Sequence, residues 1–376
     1  MLKKLKSYRL RNYNFFLVLL IVSLTVLGIF VIDSAAVSDN FDKKQFIGMV
    51  LGICGMTVIS LIDYKFLMKF YWLIYAFNLL LLTLVLVVGK EVKGARRWIP
   101  LTGNDSGLSI QPSEFCKIFL IVFFAKFLGT YYKKINNIKF LAVVLILMAV
   151  PLLLVVKEPD LSTTIILAMI LVTLIYLSGL NYKIIGTVLL IAVPVIAAAV
   201  IYIAQPNQKL LEPYQKKRIM AFIDPKNYAD DRYQQDNSVS AIGSGKLYGK
   251  GLKNDDPSSV KNAGFIPEPQ TDFISAIIGE ELGFVGCAIV LLLLFLIIIQ
   301  CIIIGIKASD FTGRLMCFGM AAMLAYQTFI NIGVATEILP NTGVTLPFVS
   351  YGLSSLLALY GGMGIVLNIS LQRKSE

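Results

Sequence analysis

The sequence contains no histidine. That absence removes imidazole-based triads, histidine metal sites and histidine proton relays, so acid–base work falls to Asp, Glu, Lys or Tyr. Charge is scarce too. Asp, Glu, Lys and Arg make up 15% of the chain, whereas a soluble domain carries about 25%. No polar stretch reaches the length of an ordinary soluble domain, so residues 1–376 read as a single membrane domain. The five cysteines, Cys54, Cys116, Cys287, Cys301 and Cys317, all lie in apolar segments without metal-ligand spacing. They are expected to act as small buried hydrophobes. No cleavable signal peptide is expected. The first apolar run follows a basic start but is too long and lacks an A-x-A exit.

Hydrophobic residues make up 57% of the chain, and they come in runs of membrane-spanning length. The runs lie at 15–32, 46–62, 70–88, 112–128, 140–156, 163–180, 184–204, 283–306, 314–335 and 350–370. Each is near the ~20 residues that a bilayer demands of a helix. The pattern predicts an all-α polytopic membrane protein of about ten transmembrane helices. Helices 1–7 fall within 15–204, a large extracellular loop covers 205–271, and helices 8–10 fall within 273–370. The stretch 273–306 exceeds one span, so its first two turns are expected to tilt, break or leave the core.

Lys and Arg set the orientation. The basic N-terminus, the loops 63–69, 131–139 and 307–314, and the tail 372–376 read as cytoplasmic, which places both termini there. The net charge of +11 is then a matter of cytoplasmic loops and anionic headgroups rather than nucleic acid. Two stretches break the rule. Residues 89–110 should be external yet carry Lys90, Lys93, Arg96 and Arg97, and 205–271 carries Lys216, Lys217 and Arg218. Basic external loops imply an anionic ligand at the outer face, or else neutralise outer headgroups. Gly94, Trp98 and Pro100 give the first stretch the look of a shaped loop with an interfacial aromatic. The glycines of AIGSGKLYGKGL (241–252) do not follow a strand and open a helix. They predict a flexible or close-approach loop, not a dinucleotide fingerprint.

Several constellations carry chemistry. Glu114 and Lys117 share one helix face and mark either a packing ion pair or a substrate cavity. In KEPDLST (157–163), either Asp160 or Ser162 simply caps the next helix, or the three charges Lys157, Glu158 and Asp160 make a binding edge for a cation or sugar. The stretch FIPEPQTDFISAIIGEELG (265–283) places Glu268, Asp272, Glu280 and Glu281 across a polar–apolar boundary. Asp272 either caps the following helix or serves as a base where water, headgroup and apolar wall meet. Glu280 and Glu281 are expected to be structural, paired with a Lys or Arg from another helix. NTGVTLPFVSYGLSS (341–355) reads as an irregular or re-entrant segment, with Asn331 and Glu337 forming part of the same wall.

With these segments in place, the chain resembles the shape, elongation, division and sporulation (SEDS) family of RodA, FtsW and SpoVE. The resemblance rests on GARRW (94–98), QPSE with Lys117, EPDLST (158–163), FIDP (222–225), IGSGKLYGKGL, PEPQTDF (267–273), GEELGFVG (279–286) and TLPFVSYG (345–352). It spans essentially the whole chain. PEPQTDF and IIGEELGFVG sit closer to division and sporulation members, GARRW to elongation members. The resemblance implies a ten-helix fold and a peptidoglycan glycosyltransferase that polymerises lipid II on the outer face of the bacterial cytoplasmic membrane. It implies a class B penicillin-binding transpeptidase as partner. Asp272 matches the family's essential aspartate, Trp98 its GARRW tryptophan, and Glu114 with Lys117 its paired charges.

The expected substrate-binding set is Trp98, Arg96, Arg97, Glu114, Lys117, Lys216, Lys217, Arg218, Glu158 and Asp160, with a divalent cation (Mg or Mn) as possible cofactor. The alternatives are a lipid II flippase and a non-catalytic scaffold for a transpeptidase. Three positions depart from the family: Gln270 stands for His, Ser275 for an aromatic, and Leu353 for Gly.

Overall fold

The computed structural model describes residues 12–35, 40–92, 95–100, 109–205, 208, 211–254, 257 and 259–372. The basic start, Lys93, Gly94 and residues 373–376 lie outside this set. The apolar runs become α1 (Phe15–Ala35), α2 (Phe41–Leu61), a short α3 (Tyr64–Leu67) leading into α4 (Tyr71–Val88), α5 (Pro112–Tyr131), α6 (Ile138–Lys157), α7 (Leu161–Leu177) and α8 (Tyr182–Ala204). Two helices follow in the long loop, α9 (Pro213–Ile223) and α10 (Ala229–Ser244). Then come α11 (Ile274–Ile306), α12 (Phe311–Ala335) and α13 (Leu353–Leu371). Eight helices among the described residues are long and apolar enough to cross a membrane. The expected sixth and seventh spans are the 17-residue α7 and the 23-residue α8.

The outward faces carry Phe15, Leu19, Phe30, Leu73, Val87, Leu190 and Phe295, all exposed. Lipid, not water, suits such a surface. Inside the bundle α13 is almost wholly buried, and α2 lies tightly against it. Small residues permit that approach. A Cβ on Gly52 would meet the Tyr360 ring at 2.5 Å, and one on Gly364 would meet the Met56 carbonyl at 2.8 Å.

The structure departs from an all-helical reading in one place. The basic stretch after α4 is a small antiparallel sheet of β1 (Lys90–Val92), β2 (Ala95–Pro100) and β3 (Ser109–Ile110), in that order. Lys90 pairs with Trp98, and Ile99 with Ile110. The shaped loop is therefore a hairpin. It lies at the same end of the bundle as the long loop, called here the mouth.

The long element α11 breaks, as its length predicts. Gly283 sits at φ 64°, ψ −163° inside it. The glycine-rich loop after α10 fills the break. Lys246 and Leu247 carbonyls accept from the Phe284 and Val285 amides at 2.9 and 3.1 Å. The Glu280 and Glu281 carbonyls accept from the Lys250 and Gly251 amides, both at 2.9 Å. Backbone thus lies directly on backbone. A Cβ on Gly283 would stand 2.3 Å from the Gly249 nitrogen, and one on Gly245 1.9 Å from the Gly279 carbonyl oxygen. The close-approach reading of this loop holds at Gly245 and Gly249, where a Cβ would overlap backbone.

The charges beside the break correct one expectation. Glu280 and Glu281 pair with loop lysines rather than with another helix. Lys250 Nζ lies 2.7 Å from Glu280 Oε1, and Lys261 Nζ 2.6 Å from Glu281 Oε1. Ser34 of α1 donates to the same Glu281 oxygen, and Lys253 pairs with Asp33 at 2.7 Å.

Gly283→Ala is expected to destabilise the fold by about 2 kcal/mol or more, from the left-handed φ and the overlap together. Gly243, whose Cβ would meet open space, is the control. Thermal unfolding in detergent should show a Tm lowered by several degrees for Gly283→Ala and unchanged for Gly243→Ala. Equal Tm values would contradict the packing described.

Candidate functional site

Asp272 ends the long loop, half-buried at the mouth. Phe273 occupies the N-cap position of α11, so Asp272 is not the capping residue. Its neighbourhood is assembled from distant chain. Asn331 of α12 donates from Nδ2 to the Asp272 carbonyl at 2.8 Å and to the Val344 carbonyl at 2.7 Å. Ser350 Oγ donates to the Thr271 carbonyl at 2.7 Å, and the Tyr351 amide to the Gln270 carbonyl at 2.9 Å. PEPQTDF and TLPFVSYG are thereby stitched into one wall. The second is the expected irregular segment, buried at Leu346, Phe348 and Val349.

Gly343 lies in the same wall at φ 75°. A Cβ there would stand 3.2 Å from Asp272 Oδ2 and 3.6 Å from Arg218 Nη1. The carboxylate and a guanidinium from α9 therefore flank one point. Arg218 is the member of the basic QKKR stretch turned this way. Lys216 donates instead to the Gln205 carbonyl at 2.7 Å, and Lys217 is exposed.

The hairpin closes a second side. Arg97 donates from Nε to the Glu158 carbonyl at 3.2 Å and from Nη2 to the Pro159 carbonyl. Asp160 caps α7, accepting from the Thr163 amide at 3.1 Å and the Thr163 hydroxyl at 2.9 Å. Ser162 Oγ donates to the Thr342 carbonyl, one residue from Gly343. The Glu158–Ser162 turn thus borders the Asp272 wall. Its role is nonetheless corrected: Glu158, expected on a binding edge, has no exposed surface and faces inward. Arg96 is exposed and Trp98 half-buried on the hairpin.

Glu114 and Lys117 form a buried pair in the first turns of α5, with Lys117 Nζ at 2.9 Å from both carboxylate oxygens. They satisfy each other, as the packing reading requires. Of the two residues expected to join that wall from outside 341–355, Asn331 serves Asp272. Glu337 instead takes Arg232 of α10 at 2.7 Å. Burial raises the Glu337 carboxyl above its ordinary value, and Arg232 opposes that.

The three departures find places. Leu353 is the first residue of α13, helical, and the bare face of Gly48 receives its side chain; a Cβ there would meet Leu353 Cδ2 at 2.7 Å. Gln270 is buried and joins the wall through its carbonyl. Ser275 is buried with an unpartnered hydroxyl. Among the described residues no group of three His, Cys, Asp or Glu side chains gathers as a metal site.

The cell cycle protein family model of FtsW, RodA and SpoVE matches residues 12–375. The chain belongs to this family. It is 34% identical to a probable peptidoglycan glycosyltransferase FtsW of Trichlorobacter lovleyi, covering 97% of this chain and 95% of the relative. It is 36% identical to the peptidoglycan glycosyltransferase MrdB of Escherichia coli K12, over 95% and 93% of the two chains. Among solved structures it superposes on Thermus thermophilus RodA with TM-score 0.71 and 27% identity, covering 97% and 98%. A chain of a peptidoglycan synthase complex, described as coordinating polymerization and crosslinking, matches with TM-score 0.80, 29% identity and coverage of 95% and 97%.

Two outcomes follow. Gly343→Ala should lower activity about tenfold or more, because the new methyl comes against Asp272 and Arg218, while its strained φ of 75° lowers Tm no more than Gly283→Ala does. Unchanged turnover would remove that point from the site. Lys117→Met should cost about 3–5 kcal/mol by stranding Glu114, and Glu114→Gln combined with Lys117→Met should regain most of it. Denaturation midpoints of the three variants measure this, and an additive double variant would contradict it.

Proposed function

We propose that the chain is a peptidoglycan glycosyltransferase polymerising lipid II at the outer face of the cytoplasmic membrane. The reading has ten crossings, α7 and α8 among them, both termini in the cytoplasm and the mouth outside. The observation that carries it is the Asp272 carboxylate flanked with the Arg218 guanidinium around Gly343. Relatives named as glycosyltransferases over nearly the full chain support the same activity.

Asp272 takes the proton from the attacking sugar hydroxyl as that oxygen bonds to the anomeric carbon of the growing chain. The anomeric bond to polyprenyl pyrophosphate breaks, and its electron pair leaves with the phosphate. Arg218 meets the developing charge, with Lys217 and Arg96 at the rim. Trp98 sits at the interface, and the apolar bundle walls receive the polyprenyl chain. Arg97, Lys216 and Asp160 have structural duties and shape the mouth. A leaving pyrophosphate demands no general acid. A divalent cation would be held mainly by the pyrophosphate with Asp272 at most as its protein ligand, the usual manner of Mg²⁺; no step runs through it. A class B penicillin-binding transpeptidase is the partner, supported by the likeness to a synthase-complex chain.

A flippase is the competing function. It needs charge along a path through the bilayer. The buried Glu114–Lys117 pair is self-neutralised, and the exposed Arg96 and Lys217 lie at the mouth, which favours the enzyme.

The test gives labelled lipid II to purified protein, alone and with its transpeptidase, beside Asp272→Asn. Wild type should build long glycan strands, and the variant should lose more than about 100-fold while folding normally. Full polymerisation by Asp272→Asn would end the base assignment. Protein-dependent lipid II movement across proteoliposomes without polymer would favour the flippase.

A further inference from the structure

Glu158 sits in the turn between α6 and α7 with 0% exposure. Neither of its carboxyl oxygens has a hydrogen-bond partner. A fully buried ionised carboxylate without a counter-ion is too costly to persist. Two charges act on this carboxyl, Arg97 and Asp160. Arg97 of the hairpin points its Nε and Nη2 at the Glu158 and Pro159 carbonyls, not at this carboxyl. Asp160, on the same turn, is a second acid and caps α7. On the α5 side stands Cys116, with Lys117 beside it and already bound to Glu114. Ser113, one turn before Cys116 on that face, has a buried hydroxyl with no partner.

We propose that Glu158 is a positioning residue that works in its uncharged, proton-bearing form. Protonated, it lets the turn pack without charge beneath it. The turn then holds Arg97 through two carbonyls on one side and Thr342 through Ser162 on the other. Those two contacts tie the hairpin to the wall that carries Gly343 and Asp272. When the proton leaves, an uncompensated negative charge stands under the turn. Arg97, whose charge already acts on this carboxyl, is drawn from the carbonyls to the carboxylate, which unseats the hairpin from the mouth.

The direction of titration agrees. Burial first, and then Asp160, push the Glu158 carboxyl up to about 8, with Arg97 opposing. The native state therefore keeps this proton where the unfolded chain, near the ordinary 4.5, has released it. Fold stability from this group is lost as pH rises from about 4.5 towards 8, and the charged native form appears above that.

Glu158→Gln is the test, since glutamine imitates the neutral acid. It uses the glycosyltransferase reading for one readout and not for the other. In the polymerisation assay the wild type should lose about tenfold in rate per pH unit above 8, and Glu158→Gln should stay active and lack that limb. In thermal unfolding the wild-type Tm should fall relative to Glu158→Gln between pH 5 and pH 8. A variant inactive at every pH with wild-type Tm would show that the ionised form is needed and overturn the proposal. So would an alkaline limb, or a Tm trend, shared by both proteins. Absence of polymerisation by the wild type would end the glycosyltransferase reading, while the Tm comparison would still decide the protonation of Glu158.

Discussion

The backbone-to-backbone lock at Gly283 is the constraint on which the rest depends. A break in a membrane helix frees carbonyls and amides that lipid cannot satisfy. Here the loop after α10 supplies both kinds of partner, two carbonyls and two amides, from residues 246–251. That only works if no side chain intervenes, which is why glycine stands at 245, 249 and 283. The lock holds the part of the long loop that follows α10 to the bundle. Buried lysines reinforce it, because Lys250 and Lys261 leave solvent only to meet Glu280 and Glu281. Asp272 stands eight residues before Glu280, and so inherits a defined position at a boundary where loops are ordinarily mobile.

The mouth built on that lock has a consistent electrostatic logic. Acidic groups near it are mostly spent: Asp160 on a helix cap, Glu280 and Glu281 on lysines, Glu337 on Arg232. Asp272 and Arg218 both stand beside the bare Gly343. Of the basic groups, Arg97 and Lys216 bind backbone carbonyls, whereas Arg96 and Lys217 are exposed to whatever approaches. Such a surface favours an anionic headgroup arriving from the lipid side, and the family to which the chain belongs is one of peptidoglycan enzymes by the names of its relatives.

Much of this was legible in the sequence, and the reason is physical. Apolar runs report helices directly, because a bilayer leaves the backbone no other choice, and the ten expected runs reappear as helices, with α11 starting nine residues before its expected run. Asp272 was singled out from its place at a polar–apolar boundary, and the structure puts it half-buried at the mouth. The pairing of Glu114 with Lys117 followed from their spacing on one helix. What escaped was set by contacts between distant segments. The partners of Glu280 and Glu281 lie on the loop, not on a helix, and nothing local in the sequence says so. Nor does anything local select Arg218 over Lys216, or turn Glu158 inward. Gly343 drew no notice, since its need for a positive φ shows only once Asp272 and Arg218 are seen on either side of it.

The central claim is that headgroup chemistry happens at Asp272 and Arg218. The most direct measurement is a structure of the full chain in lipid with a non-reactive lipid II analogue bound. The account predicts pyrophosphate against Arg218, a sugar hydroxyl directed at Asp272, and the polyprenyl chain along the outside of the bundle. A headgroup lodged between helices near the middle of the membrane, out of reach of both residues, would contradict it.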